Sequence, residues 1–443
     1  MLRRSHALVA RRRYWRQRLV FWAGALAIGI VSAGFAKLAD EAQNLFALIG
    51  DAQGPLRFAP LLVTPLGFAL CAFLAARYVS GSQGSGIPQA IAARHLREDE
   101  DRSRFLSLRI AVGKIVLTIA GLMCGASIGR EGPTVQVGAS IMLQAARWGG
   151  MVQARGLILA GSAAGIAAAF NTPLAGIVFA IEEMSRSYQA RANGIVLSAV
   201  IIAGLASLAM VGNYTYFGVT GATAELRRDG LLILACGIGG GALGACFSSA
   251  TIALIRRIRR VKAGTPMRRA VGFAFAAGLI VAVLGIASES TSFGTGYGQA
   301  RSAIEGTPLP PFFFIGKFLA SLASSVAGIP GGLFAPSLSV GAGLGSTLGQ
   351  LLGSPIGLAA LLGMAGYFSG VVQAPMTAFV IILEMTGNHD NVTALMAVSV
   401  LGFGTARLIS REPLYHALSR LFMADALRLR RQHAAESDAA ARG

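Results

Sequence analysis

The chain has 443 residues, of which 54% are hydrophobic and 13% charged, and a formal net charge of +19. Soluble domains carry about 25% charged residues, so this composition, with a mean hydropathy of +0.61, excludes an ordinary soluble domain and points to a polytopic membrane protein. The arginines do not form a nucleic-acid face: they gather at 3–18, 256–269 and 407–431, beside apolar runs, as basic loops held in the cytoplasm do.

Residues 1–18 read as a basic cytoplasmic N-terminus. The first apolar element covers 19–36 and continues as a helix to about 49. It is too long for a signal peptide and lacks a clear cleavage site, so it reads as the first membrane helix. A second run, 58–78, ends at Gly81-Ser82-Gln83-Gly84-Ser85-Gly86-Ile87-Pro88, and a charged loop, Glu98–Arg104, follows. Then come 106–126, the motif Gly129-Arg130-Glu131-Gly132-Pro133, and 134–146. Runs 156–170 and 173–184 are parted by Asn171-Thr172-Pro173, and 194–217 closes the first membrane repeat, 19–225.

The second membrane repeat, 226–409, begins with a long helix from near Gly230 to about 254, followed by the basic Arg256–Lys262. Runs at 270–288, 312–329, 336–352, 356–371, 375–386 and 391–409 complete it. Residues 410–443 read as a C-terminal helix and a polar tail that frays in an Ala/Arg stretch, with no regulatory domain. Pieces 134–146, 173–184 and 375–386 fall short of the ~20 residues a full crossing needs. Broken helices are tolerated at membrane depth where the break is buried or lines a wet cavity. The expected fold class is therefore an all-α polytopic membrane protein with broken and short helices.

The two halves repeat. Gly84–Ala90 parallels Gly294–Ala300, Gly113-Lys114 parallels Gly316-Lys317, and Gly129–Pro133 parallels Gly331–Pro336. Gly161 parallels Gly363, and Asn171-Thr172-Pro173 with Glu182 parallels Gln373-Ala374-Pro375 with Glu384. The spacing stays between 202 and 210 residues, which marks a duplication. The first helix of one half has its basic cluster before it and that of the other half after it, so the repeats are inverted. Inverted repeats with broken helices place a substrate site near the midplane.

Three stretches share one grammar: Gly84–Pro88, Gly129–Pro133 and Gly332–Pro336. Each sets Gly in a turn and Pro at about the first helical position, leaving neighbouring N–H groups open. A helix N-terminus acts as roughly half a positive charge. Three aimed at one point would hold a dehydrated anion yet let it escape, with Ser85 adding a hydroxyl. The competing reading is three ordinary membrane-helix caps.

An ionisable residue such as Glu131 is expensive in membrane-grade sequence and marks function. Ionised, its carboxylate is itself an anion and competes for the same N–H groups; protonated, it withdraws, coupling anion movement to proton binding. Alternatively it is a structural partner of Arg130. Glu182 and Glu384 align as a duplicated structural position. Glu183 aligns with Met385 and has no counterpart, so it stands out as a proton acceptor beside the basic loop Arg186–Arg191, or else as another structural carboxylate. Lys114 and Lys317 read as a structural pair. His95, His389, His416 and His433 lie near loops or the tail and receive no role. Cys71, Cys124, Cys236 and Cys246 read as small buried hydrophobes. No metal site, cofactor loop or catalytic triad stands out, so the chain does not read as an enzyme.

Over about 20–420 these residues resemble the CLC family of chloride channels and chloride/proton antiporters. The resemblance rests on Gly84–Pro88, Gly129–Pro133, Gly332–Pro336, Asn171–Met184 and Pro413-Leu414-Tyr415. It implies a homodimer with one anion pathway per subunit, needing no cofactor, in a bacterial cytoplasmic membrane with both termini cytoplasmic. It implies anion contacts from Ser85, Gly86, Ile87, Leu333, Phe334 and Tyr415. Glu131 resembles the gating glutamate, and Glu183 the internal proton glutamate of the antiporters. Ser85 is associated with chloride preference; nitrate-preferring members carry Pro there. Fluoride exporters carry Asn in that motif and lack the internal glutamate, so they fit less well. The resulting expectation is a chloride/proton antiporter, with a passive chloride channel as the main alternative. Gly294–Ala300 lacks the proline of its counterpart and is not expected to bind an anion.

Overall fold

Long apolar stretches that must satisfy their own backbone hydrogen bonds have few options besides helix, and helix dominates the computed structural model, which describes residues 2–50, 54–185, 193–212, 215–262 and 267–442. The first half comprises α1 (Leu2–Gly50), α2 (Pro60–Tyr78), α3 (Ile87–His95), α4 (Asp99–Ser103), α5 (Leu108–Met123), α6 (Glu131–Gly149), α7 (Ala154–Phe170), α8 (Pro173–Phe179) and α9 (Asn193–Val211). The second comprises α10 (Leu226–Lys262), α11 (Met267–Ala287), α12 (Tyr297–Ile304), α13 (Phe313–Val326), α14 (Phe334–Leu352), α15 (Ile356–Val372), α16 (Pro375–Thr386) and α17 (Val392–Ile409), with α18 (Leu414–Arg442) closing the chain. Among the described residues seven helices are long and apolar enough to cross a membrane. The molecule is an all-α multi-pass membrane protein.

The duplication is visible helix by helix. α6 and α14 each have 19 residues, and α7 and α15 each have 17. α6 and α14 end on left-handed glycines, Gly150 and Gly353, while α7 and α15 end on left-handed Asn171 and Gln373. Each left-handed residue turns the chain back into the next helix. α6 crosses α7 at Gly138 and Gly161, and α14 crosses α15 at Gly341 and Gly363. A Cβ at any of these four would collide with backbone of the facing helix, the close approach that small residues permit between membrane helices.

Glu182 and Glu384 tie the halves together. Glu384 accepts hydrogen bonds from the N–H groups of Leu174 (3.0 Å) and Ala175 (2.8 Å) at the start of α8. Glu182 accepts from Met376 (3.1 Å), Thr377 (2.6 Å) and the Thr377 hydroxyl (2.7 Å) at the start of α16. Each half thus caps the open N-terminus of the other, as their duplicated position implied.

Several elements depart from the sequence reading. The 134–146 piece is not a fragment: the helix absorbs the polar motif before it and runs Glu131–Gly149. The 194–217 run is not one helix. It stops at Val211 before left-handed Gly212, and Tyr216 and Phe217 bury themselves in the core instead. The Phe217 N–H donates to the Met385 carbonyl, and Asn391 holds the Ala222–Ala224 backbone. The charged loop at 98–104 contains the short helix α4, and the tail is helical through Arg442 rather than frayed. Cys71 and Cys236 are buried, but Cys246 is exposed on α10. The basic loop Arg186–Arg191 lies outside the described residues.

Candidate functional site

The loops before α3, α6 and α14 are bonded to one another, which brings three helix N-termini together. Gly129 and Gly332 exchange backbone hydrogen bonds of 2.7 and 2.6 Å, and the Gly84 carbonyl accepts from the Gly331 N–H at 3.1 Å. In return the Gly84 N–H donates to the Ile329 carbonyl at 3.0 Å. The prolines sit at the second or third helical position, where no intrahelical N–H is needed.

Glycine is required at two contacts. Gly132 lies against the Ser85 hydroxyl and backbone of the first loop, and Gly86, with φ of 103°, lies against the Gly132 carbonyl and Gln136. A side chain at either would push the motifs apart. The Gly86 N–H donates to the Gln89 side chain at 3.1 Å, so this predicted anion contact is occupied within its own helix turn. Ile87, Leu333 and Phe334 are buried at the starts of α3 and α14.

Lys114 is wholly buried, and its ammonium donates to the carbonyls of Ser82 (2.7 Å) and Gly84 (2.5 Å). Lys317 donates to the carbonyls of Ser292, Phe293 and Gly294 in the second half. Both lysines brace the duplicated glycine loops. Thr295, the counterpart of Ser85, is occupied by Gln43, which accepts from its N–H and hydroxyl at 2.8 Å.

Glu131 opens α6 and is completely buried. Its carboxylate lies against its own N–H and that of Ala335 at the start of α14, without closing a hydrogen bond of full geometry to either. Arg130 turns the other way. Its guanidinium pairs with Asp40 of α1 (2.5 Å), donates to the Ala36 carbonyl and reaches the Tyr216 hydroxyl at 3.4 Å. Arg130 therefore anchors the motif to α1 and to the linker after α9.

Tyr415 is buried at the start of α18, with its hydroxyl towards that of Ser85. Phe334 packs against Phe170, Phe179, Phe368 and Tyr415. These rings are buried together beside Tyr415. A small anion there would meet two hydroxyls and the positive ends of helix dipoles.

Glu183 is also completely buried. It lies in a turn of π-helix, Ala180–Ser185, that follows α8. At the matching place α16 stays regular and buries Met385. π-turns recur at functional sites because they redirect side chains by a fraction of a turn. Tyr415 is within electrostatic reach of both Glu183 and Glu131. His416, adjacent to Tyr415, places Nε2 2.8 Å from the Glu183 carbonyl and 3.7 Å from its carboxylate.

The structure thus brings Ser85, Glu131, Phe334, Tyr415 and Glu183 into one region. Sequence reasoning missed Asp40, Tyr216 and His416. They meet their partners across 86 to 233 residues, and neither motif nor repeat signals them. A cavity of about 840 Å³ is lined by Gly84 and Gly328, with Arg256, Arg259, Arg260 and Arg428 in its wall.

The family model described as Voltage gated chloride channel matches residues 67–407. Among solved structures, the chain is similar to a slow cyanobacterial Cl−/H+ antiporter, with 25% identity, 92% of this chain and 98% of that one covered, and a TM-score of 0.79. A CLC-type fluoride/proton antiporter is 23% identical, with 90% and 96% covered and a TM-score of 0.75. A eukaryotic CLC transporter is 22% identical, with 92% of this chain and 75% of that one covered and a TM-score of 0.75. The last two likenesses carry the fold alone.

Proposed function

Because the chain belongs to the voltage gated chloride channel family, we propose that it exchanges chloride for protons. One observation carries this reading: two buried carboxylates, Glu131 and Glu183, both lie within electrostatic reach of Tyr415. A passive pore has no need of the second. Similarity to a Cl−/H+ antiporter supports the same choice, and Ser85 stands where the motif favours chloride.

Ionised, Glu131 occupies the N–H groups at the start of α14 and closes the path. Protonated, it loses its charge and its claim on them, and chloride takes the place. Glu183 receives protons from the cytoplasmic side and passes them past Tyr415 to Glu131. The protein would work as a homodimer in a bacterial inner membrane, with both termini cytoplasmic and one pathway per subunit.

Paired flux measurements in proteoliposomes test this. A chloride gradient is expected to drive protons uphill. Glu131→Ala should leave chloride flux running without protons, and Glu183→Gln should abolish proton movement while sparing chloride. Chloride flux with no proton movement in the wild type would make the protein a channel.

A further inference from the structure

We propose that His416 is the proton relay between cytoplasmic water and Glu183, an inference that rests on the antiport reading and deepens it. A carbonyl oxygen only accepts hydrogen bonds, so the 2.8 Å contact with the Glu183 carbonyl puts a hydrogen on Nε2. The same Nε2 is 3.7 Å from Glu183 Oε1. A small tilt of either side chain moves that hydrogen from the carbonyl to the carboxylate.

The Glu183 side chain is fully buried, while that of His416 is 16% exposed. The ring therefore spans the step from solvent to a group solvent does not reach. Imidazole is the side chain whose ordinary titration falls near neutral pH. Two ring nitrogens let it take a proton on one side and release one on the other.

Among the described residues, three other charged groups bear on this corner. Arg94 of α3 donates to the Met184 carbonyl at 2.7 Å and to the Ser185 hydroxyl at 3.0 Å. Arg155 of α7 lies near enough to Arg94 to be felt electrostatically. Arg420 of α18 faces Glu412 at 3.5 Å. Arg94 and His416 thus grip the π-turn from two helices, and His416 also reaches towards the Glu183 carboxylate.

In the transfer, Nδ1 gains a proton from water and the ring becomes imidazolium. The Nε2–H bond then breaks, the Oε1–H bond of Glu183 forms, and the ring is left neutral with its hydrogen on Nδ1. The Nε2 lone pair now faces the Glu183 carbonyl oxygen, a repulsive contact. The ring then tilts out to water, where Nδ1 releases its hydrogen and Nε2 takes one up, which resets the relay. Run backwards, the same steps export a proton from Glu183.

His416→Gln and His416→Ala separate a relay from a brace. Glutamine keeps an N–H donor for the Glu183 carbonyl but carries no proton; alanine leaves a gap that free imidazole can fill. Paired proton and chloride fluxes are measured in proteoliposomes from about pH 5 to 8, across the ordinary range of imidazole. Proton flux in both variants should fall about tenfold, less than the ~10²-fold typical of a positioned acid–base group because water can partly substitute. The component of the pH profile that depends on His416 should vanish, and imidazole in the buffer should restore flux in His416→Ala. Wild-type flux and pH profile in His416→Gln would reduce His416 to a brace, and failure of imidazole to restore His416→Ala also overturns the relay. If His416→Gln is not monodisperse, the imidazole experiment decides alone. A wild type that moves chloride without protons overturns the relay and the antiport reading together, whereas coupled wild-type flux with an unaltered His416→Gln overturns only the relay.

Discussion

Glu131 and Arg130 are neighbours of opposite charge, yet their side chains serve different elements. The carboxylate turns to α14 and the guanidinium to Asp40 of α1. This separation suits the gating role proposed for Glu131, because a carboxylate clamped by its neighbour could not leave its place. It also makes Asp40 a strut: its removal strips a nearly buried guanidinium of its charged acceptor. A hydrogen bond to a charged group contributes about 1.5–3 kcal/mol, and half of the Asp40 side chain is exposed, which favours the lower end. Asp40→Ala should lower the thermal unfolding midpoint in detergent, while Asp40→Asn, which keeps an acceptor oxygen, should lose less. Equal midpoints for Asp40→Ala and wild type would remove the strut. Glu131, Glu183 and Ser85 could be singled out as candidates from the sequence because cost, an unmatched repeat position and a motif marked them. Asp40 and His416 could not, because their meaning comes from partners 90 and 233 residues away.

Among elements, the starts of α8 and α16 show what the duplication can and cannot tell. Their alignment identified Glu182 and Glu384 as equivalent, and each caps the other's helix. The π-turn that aims Glu183 was invisible, because no residue is inserted there: Pro173 to Glu182 and Pro375 to Glu384 have equal spacing. Only the winding differs, and packing sets the winding. The linker after α9 was hidden for a related reason, since Tyr216 and Phe217 continue an apolar run but bury against protein. Losing a cap costs about 0.5–2 kcal/mol. Glu182→Ala and Glu384→Ala should therefore destabilise by similar amounts in thermal unfolding and leave the proton-to-chloride ratio unchanged. A change of that ratio in Glu182→Ala alone would mean that Glu182 shares the proton path with Glu183.

At the scale of the molecule, pseudo-symmetry in the backbone meets asymmetry in charge. Both halves build a glycine loop braced by a buried lysine. Only the first-half loop keeps a buried serine hydroxyl turned towards Tyr415, and only it borders the arginine-lined cavity. The excess of +19 is thus partly concentrated where an anion would approach Gly84. Arg259 and Arg256 are each paired with a carboxylate, Asp425 and Glu412, so much of their field is cancelled. Arg260 and Arg428 complete the wall. Charges along a low-dielectric cleft raise the local concentration of counter-ions, and salt screens them beyond about 10 Å at 0.1 M. Replacing Arg260 and Arg428 together with glutamine should therefore slow chloride flux about two- to fivefold at low ionic strength. The deficit should shrink as ionic strength is raised with an impermeant salt, and proton coupling should stay intact. A deficit that persists at high salt would mean the arginines act through packing, and no deficit at low salt would mean that chloride reaches Gly84 by another route.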